Sequence, residues 1–542
     1  MDLGAQVISV DQLAPVDREQ TGRRTESRVF RKGQSEQGHS SLLYYAPLLV
    51  LTLIIVGNLW QKTDPDLWGH IRFGQMMLST RHIVSHDEFS YTAFNHSWHD
   101  HEYLTEIIMA AIYDAAGIVG LKVWKLACVA ATIFFLILGL AETGSGSLIQ
   151  LTALGFAVEA MAQFTQFRPQ VHSYLLFALT LALLAKDNYR SSGPLWLMVP
   201  VMWLWSNLHG GFIIGLIALV IYAGAVVAIA LLDQRNLRHA GKVAAVAVAA
   251  ASATLLPNGL TTWHALLTTI SAPATFTIFT EWQPLSNAIA EQWRFNHYGI
   301  IIYLFLIALW LGLIVSVGWR PYGADFPLIL IAAVMALAAL KSVRNVPFAA
   351  MACAIPVARH LDLLLQSCRR KSPTRATVPA WAPYALALAA LLLTNREILS
   401  SQLETDMSYP ASAADFMKQN RLHGNVLVYF CWGEYLIWHL TPDFKVFFDS
   451  RYDMVYPSHV TNDYLAFYWG SAGAENALTN YRTDFVLFPT TETVYDRMIK
   501  ARGWKLIYCD REAALFARKD SPIAQVHPIP VTEKAPSLQY FP

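Results

Sequence analysis

Charged residues are scarce in the middle of this chain. Asp, Glu, Lys and Arg make up 15% of the 542 residues, against about 25% in soluble proteins. Only 38 of these charged residues lie within residues 41–400, while apolar residues make up 54% of the whole chain. A soluble globular fold, with charged residues covering one hydrophobic core, is therefore excluded over most of the chain. We predict an α-helical polytopic membrane protein.

Other absences exclude whole classes of function. The net charge of +1 lacks the basic excess of nucleic-acid-binding proteins, so no nucleic-acid partner is expected. No phosphate-binding P-loop, dinucleotide fingerprint or G-x-S-x-G nucleophile elbow is present, which leaves ATP-driven transport without support. The five cysteines show no zinc-finger spacing. Cys431 and Cys509 are predicted to pair if the C-terminal tail faces an oxidising compartment.

Apolar runs predict about eleven transmembrane helices, since a helix needs about 20 apolar residues to cross a bilayer. Arginines and lysines precede the first run and follow alternate later ones, which places the N-terminus in the cytoplasm. An odd number of spans then places the tail outside. The predicted spans are 42–60, 119–141, 147–164, 170–186, 194–207, 209–232, 240–256, 298–317, 325–341, 346–366 and 380–395.

Composition divides the chain into three parts. Residues 1–41 form a polar cytoplasmic leader, residues 42–395 a transmembrane domain with its first extracytoplasmic loop at 61–104, and residues 396–542 an extracytoplasmic domain. Strand patterns alternate with helix patterns in that tail, which predicts a small α/β domain. Asp449 and Arg451 follow a predicted strand, where α/β sheets commonly bind ligands. A turn with a surface ion pair is the favoured interpretation of these two residues.

The unusual polar clusters of the membrane half all fall on the predicted outside. A random scatter would divide them between the two faces, so we predict one shared extracytoplasmic cavity. The clusters are D-P-D (64–66), W-H-D-H-E (98–102), F-R-P-Q (167–170), S-N-L-H-G-G (206–211), L-P-N-G (256–259), E-W-Q-P (281–284) and S-V-R-N (342–345).

The first outside loop combines acidic and imidazole side chains. Crowded ionisable groups at a membrane surface favour general acid–base chemistry, because burial and neighbouring charges tune their pKa values. The alternative is a solvated loop whose polar residues simply avoid lipid. The stretch His99–Glu102 suggests a possible divalent cation, although it lacks the H-E-x-x-H spacing of zinc peptidases. Trp98, Trp282 and Trp293 either stack on a sugar or form an interfacial belt, and the belt is favoured.

Arg168 and Arg344 flank apolar runs at the same predicted interface. A guanidinium there suits bidentate binding of a lipid phosphate. The alternative is that these long side chains reach out to ordinary membrane lipids. Their shared side with the acidic loop favours a binding site.

Seven motifs resemble those of a known family. They are D-P-D-L-W-G-H (64–70), D-E-F-S-Y-T (87–92), W-H-D-H-E-Y-L (98–104), R-P-Q (168–170), N-L-H-G-G (207–211), W-G-E-Y-L-I-W (432–438) and F-F-D-S-R-Y-D (447–453). Together they resemble type-C (GT-C) glycosyltransferases, and in particular bacterial relatives of the protein-mannosyltransferase group.

This resemblance implies a membrane glycosyltransferase. It would move a sugar from a polyprenyl-phosphate donor to an extracytoplasmic saccharide, lipid or protein acceptor, with inversion. An aspartate, Asp66 or Asp64, would be the general base, while Arg344 and Arg168 would stabilise the departing phosphate. The identity of the base stays open, because the related mannosyltransferases tend to have an adjacent D-E pair where this chain has D-P-D.

The resemblance also implies two juxtamembrane helices in the first outside loop, here Phe73–Ser79 and Leu104–Ala115. The remaining predicted substrate-binding residues lie in the shared motifs. They are His70, His101, Glu102, Gln170 and His209.

The expected location is the bacterial plasma (inner) membrane, among membrane lipids, with the site facing the periplasm or the cell exterior. Two non-enzymatic functions compete: a transporter or flippase for lipid-linked saccharides, and an assembly subunit. A transporter predicts repeat symmetry and polar residues at mid-membrane. The sequence contains no internal repeat, and its polar clusters lie at span ends.

Overall fold

The computed structural model describes residues 63–162, 164–191, 193–271, 280–287, 289, 298–317, 325–369 and 408–522. Within these residues the first part of the chain is helical and the last part contains a small sheet. The helices before the tail are α1 (Leu67–Thr80), α2 (Tyr103–Glu142), α3 (Ser147–Ala162), α4 (Gln170–Arg190), α5 (Met198–Leu208), α6 (Phe212–Asp233), α7 (Leu237–Ala253), α8 (Thr261–Ser271), α9 (Tyr298–Val317), α10 (Phe326–Lys341) and α11 (Val346–Arg369).

Three described helical segments are long and apolar enough to cross a membrane: Tyr103–Glu142, Phe212–Asp233 and Val343–Gln366. Shorter apolar helices accompany them. Large apolar side chains such as Leu232 also stay exposed on these helices, as a lipid-facing surface requires. Nine of the predicted spans coincide with described helices. The spans 42–60 and 380–395 lie outside the described residues.

The long helix α2 is two helices joined at Gly117. This residue has φ 58° and ψ −150°, a conformation that glycine adopts without steric strain. The part before Gly117 packs beside α1. These two segments correspond to the two juxtamembrane helices predicted for the first outside loop, with α1 beginning six residues earlier than predicted.

The tail contains one five-stranded sheet in the order β2-β1-β3-β5-β4. Its first three strands in this order are parallel and β5 is antiparallel to both neighbours, which agrees with the predicted α/β unit and closing hairpin. The elements are α12 (Ala411–Gln419), β1 (Gly424–Val428), α13 (Gly433–Leu440), β2 (Phe444–Val446), α14 (Ser458–Trp469), α15 (Asn476–Thr479), β3 (Phe485–Pro489), α16 (Thr493–Lys500), β4 (Trp504–Cys509) and β5 (Ala513–Arg518).

Two details of the tail differ from prediction. The sequence predicts the second strand at 445–449, whereas β2 is Phe444–Val446. The carbonyl of the next residue, Phe447, accepts a hydrogen bond from Thr92 Oγ1 of the first outside loop. Cys431 and Cys509 are both free, so the predicted pairing is wrong. Cys431 follows β1 and Cys509 ends β4, and the strands β3 and β5 lie between β1 and β4. At 4.8 Å per strand, β1 and β4 are about 14 Å apart, whereas the Cα atoms of bridged cysteines lie within about 7 Å.

The first outside loop adds to the edge of the tail's sheet. Val446 donates its N–H to Phe89 O over 3.0 Å, and Tyr91 donates to Val446 O over 3.2 Å. The Tyr91 hydroxyl meets Thr483 Oγ1 at 2.8 Å. The Trp68 ring of α1 lies 4.4 Å from that of Tyr409, centroid to centroid. The loop, α1 and the tail therefore share one hydrophobic core, which fixes the tail over the helical part.

Candidate functional site

A cavity of about 290 Å³ lies between the helical part and the tail. Six of the seven predicted polar clusters contribute to its wall, so these six meet in one cavity, whereas the seventh does not reach it. The exception is L-P-N-G, whose Leu256 carbonyl instead accepts a hydrogen bond from Asn207. Representative wall residues are Asp66, His101, Arg168, His209, Glu281 and Arg344.

Arg168 organises three carboxylates at this wall. Its Nε lies 2.6 Å from Asp64 Oδ1, its Nη2 lies 2.8 Å from Asp66 Oδ2, and its Nη1 lies 2.8 Å from Glu281 Oε1. One positive charge thus faces three acids. The Arg168 guanidinium is therefore already engaged by protein groups, which leaves it poorly suited to bind an incoming phosphate.

Asp64 and Asp66 occupy different environments although they belong to one D-P-D turn. Asp64 is 2% exposed, and its Oδ1 accepts the N–H of Asp66 over 3.0 Å. Asp66 lines the cavity immediately before α1. Burial raises the pKa of Asp64 to about 7, with the charge of Asp66 adding to this and that of Arg168 opposing it. Asp64 therefore supports the turn, and Asp66 presents a carboxylate to the cavity.

Arg344 reaches the same wall with longer contacts. Its Nη1 lies 3.6 Å from Glu281 Oε1, its Nη2 lies 3.5 Å from His209 Nε2, and its guanidinium lies 4.9 Å from the Trp282 ring centroid. Burial raises the pKa of Glu281, but the charges of Arg168 and Arg344 outweigh it, so the net shift is downward. Glu281 therefore remains ionised between the two arginines.

Glu102 forms a second polar network with two histidines. Its Oε1 lies 3.3 Å from His209 Nε2 and 3.7 Å from His101 Nε2. His209 Nδ1 accepts the N–H of Gly211 over 2.8 Å, so its Nε2 faces Glu102. Burial raises the pKa of Glu102 to about 6 and lowers that of His101 to about 4. Both histidines are therefore neutral at pH 7, since burial also lowers the pKa of His209.

The two remaining predicted residues also line the cavity. His70 Nδ1 meets Glu106 Oε1 at 2.8 Å, and Gln170 donates to the Tyr174 hydroxyl over 2.5 Å. Among the nine predicted site residues, Asp64 alone lies behind the described cavity wall. Trp98 and Trp282 also line the cavity, so the sugar-stacking alternative and the favoured interfacial belt both stay predictions for them. Trp293 lies outside the described residues.

The tail supplies residues that the sequence did not assign to the site. Glu434, Ser450 and Tyr452 line the cavity. Glu434 lies in the first turn of α13, and the other two follow β2. Burial raises the pKa of Glu434, and the nearby charge of Asp66 raises it further. These residues lie in the motifs W-G-E-Y and F-F-D-S-R-Y, which resemble those of the family, but the sequence did not predict a role for them. Glu281 was likewise overlooked within E-W-Q-P, although charged residues are rare there.

Arg451 forms a buried ion pair and not the surface pair favoured from sequence. It is 3% exposed, while Asp87 and Asp449 are fully buried. Its Nη1 lies 2.7 Å from Asp87 Oδ1 and its Nη2 lies 2.6 Å from Asp449 Oδ2. Because Asp87 belongs to the first outside loop, this ion pair ties the tail to that loop.

The described residues offer no metal site, since no three His, Cys, Asp or Glu side chains among them converge as ligands. In the stretch considered for a divalent cation, His99 Nε2 meets Thr262 Oγ1 at 3.0 Å, while His101 faces Glu102. The two imidazoles are therefore directed to different partners.

The sequence matches no protein-family profile and no curated protein. The structure is similar to the arabinofuranosyltransferase AftD from Mycobacteria, with a TM-score of 0.52 and 15% identity, covering 88% of this chain and 40% of that one. It is also similar to the Archaeoglobus fulgidus oligosaccharyltransferase tethered with an acceptor peptide, with a TM-score of 0.52 and 12% identity, covering 82% of this chain and 69% of that one. This chain spans less than half the length of AftD. These likenesses show that the chain has a GT-C-like fold.

Proposed function

We propose that this protein is a membrane glycosyltransferase that moves a sugar from a polyprenyl-phosphate donor to an extracytoplasmic acceptor. The observation that carries the proposal is the order of charges along the cavity wall. Asp66 contacts Arg168, Arg168 contacts Glu281, and Glu281 contacts Arg344. Asp66, the proposed base, and Arg344, the proposed phosphate-binding residue, therefore line one cavity. The side chains of Arg168 and Glu281 lie between them.

The reaction assigned to this arrangement is an inverting displacement. An acceptor hydroxyl attacks the anomeric carbon, and Asp66 takes the hydroxyl proton as general base. The bond between the anomeric carbon and the phosphate oxygen breaks, and the lipid phosphate leaves with the bonding electrons. Arg344 stabilises the negative charge that develops on this leaving group. Arg168 holds Asp66 and Glu281 in place.

The surroundings support this assignment. The cavity is bounded by long apolar helices on one side, where a polyprenyl chain would lie in lipid. It is bounded by the tail on the other side, where an acceptor would enter. We further propose that the site faces the periplasm or cell exterior of a bacterial inner membrane, with residues 396–542 as the extracytoplasmic domain, because the basic loops are predicted to be cytoplasmic.

The proposal is tested by sugar release from radiolabelled polyprenyl-phosphate sugars by purified protein in lipid nanodiscs, with a set of candidate acceptors. Asp66→Asn is compared with wild type, and Asp443→Asn, which changes an exposed tail aspartate, is the matched control. Turnover by wild type and the control, with loss in Asp66→Asn, is the expected result. Equal turnover in all three proteins would remove Asp66 as the base.

Tight donor binding without release by any of the three would overturn the enzymatic proposal. It would support the transporter, flippase or assembly subunit instead.

A further inference from the structure

The carboxyl group of Glu434 lies directly on Gly69 of α1. A Cβ atom added to Gly69 would stand 2.1 Å from Glu434 Oε2 and 2.3 Å from Glu434 Cδ. Any side chain at position 69 would therefore displace this carboxyl group. Gly69 of the motif D-P-D-L-W-G-H and Glu434 of the motif W-G-E-Y-L-I-W are therefore in direct contact.

This contact places Glu434 beside the proposed base. Asp66 precedes α1 and Gly69 follows three residues later, a spacing that puts both on the same side of a helix. Arg344 lies further along the wall, beyond Arg168 and Glu281. Glu434 therefore lies at the base end of the cavity, where an acceptor must approach if the donor phosphate lies at Arg344.

The Glu434 carboxyl group is incompletely hydrogen-bonded. It is 4% exposed and lines the cavity. Ser450 Oγ donates to its Oε1, whereas its Oε2 is buried and has no hydrogen-bond partner in the described part of the chain. A buried carboxyl group that is short of a hydrogen-bond donor is costly, so a hydroxyl donor that reaches it from the cavity would be favoured.

The other walls indicate what that ligand is. The rings of Trp98 and Tyr452 line the cavity and provide flat apolar surfaces. The acidic side chains Asp100, Glu102 and Glu106 line it as well, which disfavours an anionic acceptor. Carboxyl groups combined with aromatic rings match the hydroxyl groups and C–H faces of a sugar.

We propose that Glu434, held in place by Gly69, binds a hydroxyl group of a saccharide acceptor and so presents a second hydroxyl to Asp66. This inference rests on the proposed glycosyl transfer for the direction of attack. It adds that the acceptor is a saccharide and that the tail supplies the residue that selects it. Glu434 would contact the acceptor, and Gly69 is a positioning residue.

The test is saccharide binding measured by saturation-transfer NMR on the full-length protein in lipid nanodiscs, which avoids sugar-based detergents. The probes are the methyl glycosides of mannose, glucose, galactose and arabinose, and ethylamine is the amine probe. Glu434→Ala removes the carboxyl group, and Gly69→Ala keeps it but displaces it. Glu475→Ala, at an exposed tail glutamate, is the control.

We expect wild type and Glu475→Ala to bind at least one glycoside. Both Glu434→Ala and Gly69→Ala should bind it about tenfold more weakly, which corresponds to the loss of one strong hydrogen bond. The Gly69→Ala result is diagnostic, because alanine favours a helix more than glycine does. Weaker binding at an undiminished thermal midpoint then reflects the displaced carboxyl group and not unfolding.

Glycoside binding by Glu434→Ala within twofold of wild type would overturn the inference. Binding of ethylamine alone, or of no probe, would overturn it too. These outcomes are separate from the fate of the proposed function, because that function is judged by turnover of the polyprenyl-phosphate donor. If the protein turns over the donor but binds glycosides equally well without Glu434, only the inference about Glu434 is wrong. If glycoside binding depends on Glu434 but no donor is turned over, only the proposed enzymatic activity is wrong.

Discussion

Arg168 Nη2 lies 2.8 Å from Asp66 Oδ2, and the same guanidinium also contacts Asp64 and Glu281. The proposed base is therefore held by a hydrogen bond through one of its two carboxylate oxygens. The other oxygen accepts no hydrogen bond within the described residues, so it is available for an acceptor hydroxyl. The same arrangement separates the roles of two aspartates that the sequence alone left equivalent.

The first prediction concerns this pair of aspartates. Asp66→Asn should lower turnover at least about 100-fold, because a positioned general base contributes about 10²–10⁴-fold. Asp64→Asn should retain more activity than Asp66→Asn, since Asp64 supports the turn and is not part of the cavity wall. Initial rates with the polyprenyl-phosphate sugar that the sugar-release assay selects measure both effects. A larger loss in Asp64→Asn, with both variants equally folded, would reverse the assignment.

The second prediction concerns Arg344. Arg344→Ala should raise the KM for the polyprenyl-phosphate donor by about 10–100-fold, because a hydrogen bond to a charged group contributes about 1.5–3 kcal/mol. Arg344→Lys should recover part of this loss, since a lysine restores the charge but not the bidentate geometry. Steady-state kinetics over a range of donor concentrations measure the change. An unaltered KM in Arg344→Ala would exclude it as a phosphate ligand.

Arg168 provides the contrast, because its partners are protein carboxylates. Arg168→Met leaves Asp64, Asp66 and Glu281 without their shared positive charge. Removing one partner of a buried ion pair costs about 3–5 kcal/mol. We therefore expect a lower thermal midpoint in this variant and little change in Arg344→Ala. A stable Arg168→Met protein would show that the three acids do not need this cation.

The third prediction is a pH dependence that arises from Glu102. Burial raises its pKa from 4.5 to about 6 in the folded protein, so the folded state holds the proton more tightly than the unfolded chain. The stability that this carboxyl group contributes is fully present below pH 4.5, and it is lost as the pH rises through about 6. The difference of about 1.5 pH units corresponds to about 2 kcal/mol.

Glu102→Gln cannot ionise at this position and should escape that loss. Between pH 4.5 and 6.5, the free energy of unfolding of this variant should therefore rise by about 1.5 kcal/mol relative to that of wild type, which is most of the full difference. Denaturant unfolding at a series of pH values measures it, with Glu475→Gln as the exposed control. Parallel curves for Glu102→Gln and wild type would show that the Glu102 carboxyl group has an ordinary pKa.

Local patterns predicted more of this structure than contacts between distant segments did. Apolar runs predict the helices because each run reflects its own surroundings in lipid, and short continuous apolar runs predict β1 and β3 for a similar reason. The environment of Cys431 depends on the order of strands in the sheet, which hydropathy does not encode. The same limit explains why the charges of Asp449 and Arg451 were interpreted as a surface pair.

The candidate site follows the same division. Its aspartates and arginines stand out because charged residues are rare beside apolar runs, so their composition alone marks them. Glu434 lies in a tail that is rich in charges, where one more glutamate attracts no notice. The role proposed for Glu434 depends on its contact with Gly69, which lies more than 360 residues earlier in the chain. No local sequence pattern connects the two residues.

The last prediction concerns the ion pair that ties the tail to the first outside loop. Asp87 accepts hydrogen bonds from the N–H groups of Phe89 and Ser90 and pairs with Arg451. The Arg451 guanidinium also lies 4.7 Å from the Trp98 ring centroid and 5.1 Å from that of Phe73. In Asp87→Asn this buried arginine loses one of its two carboxylate partners. A loss of about 3–5 kcal/mol of stability is therefore expected.

Glu88→Gln is the matched control, because it removes a neighbouring charge that is exposed. Thermal unfolding followed by tryptophan fluorescence, together with limited proteolysis of the tail, distinguishes the two variants. Asp87→Asn should unfold at a lower temperature and release the tail to protease sooner, whereas Glu88→Gln should match wild type. Since Ser450 and Tyr452 flank Arg451 and line the cavity, Asp87→Asn should also weaken glycoside binding. Wild-type stability and protease resistance in Asp87→Asn would mean that the hydrophobic core and the sheet edge hold the tail without this ion pair.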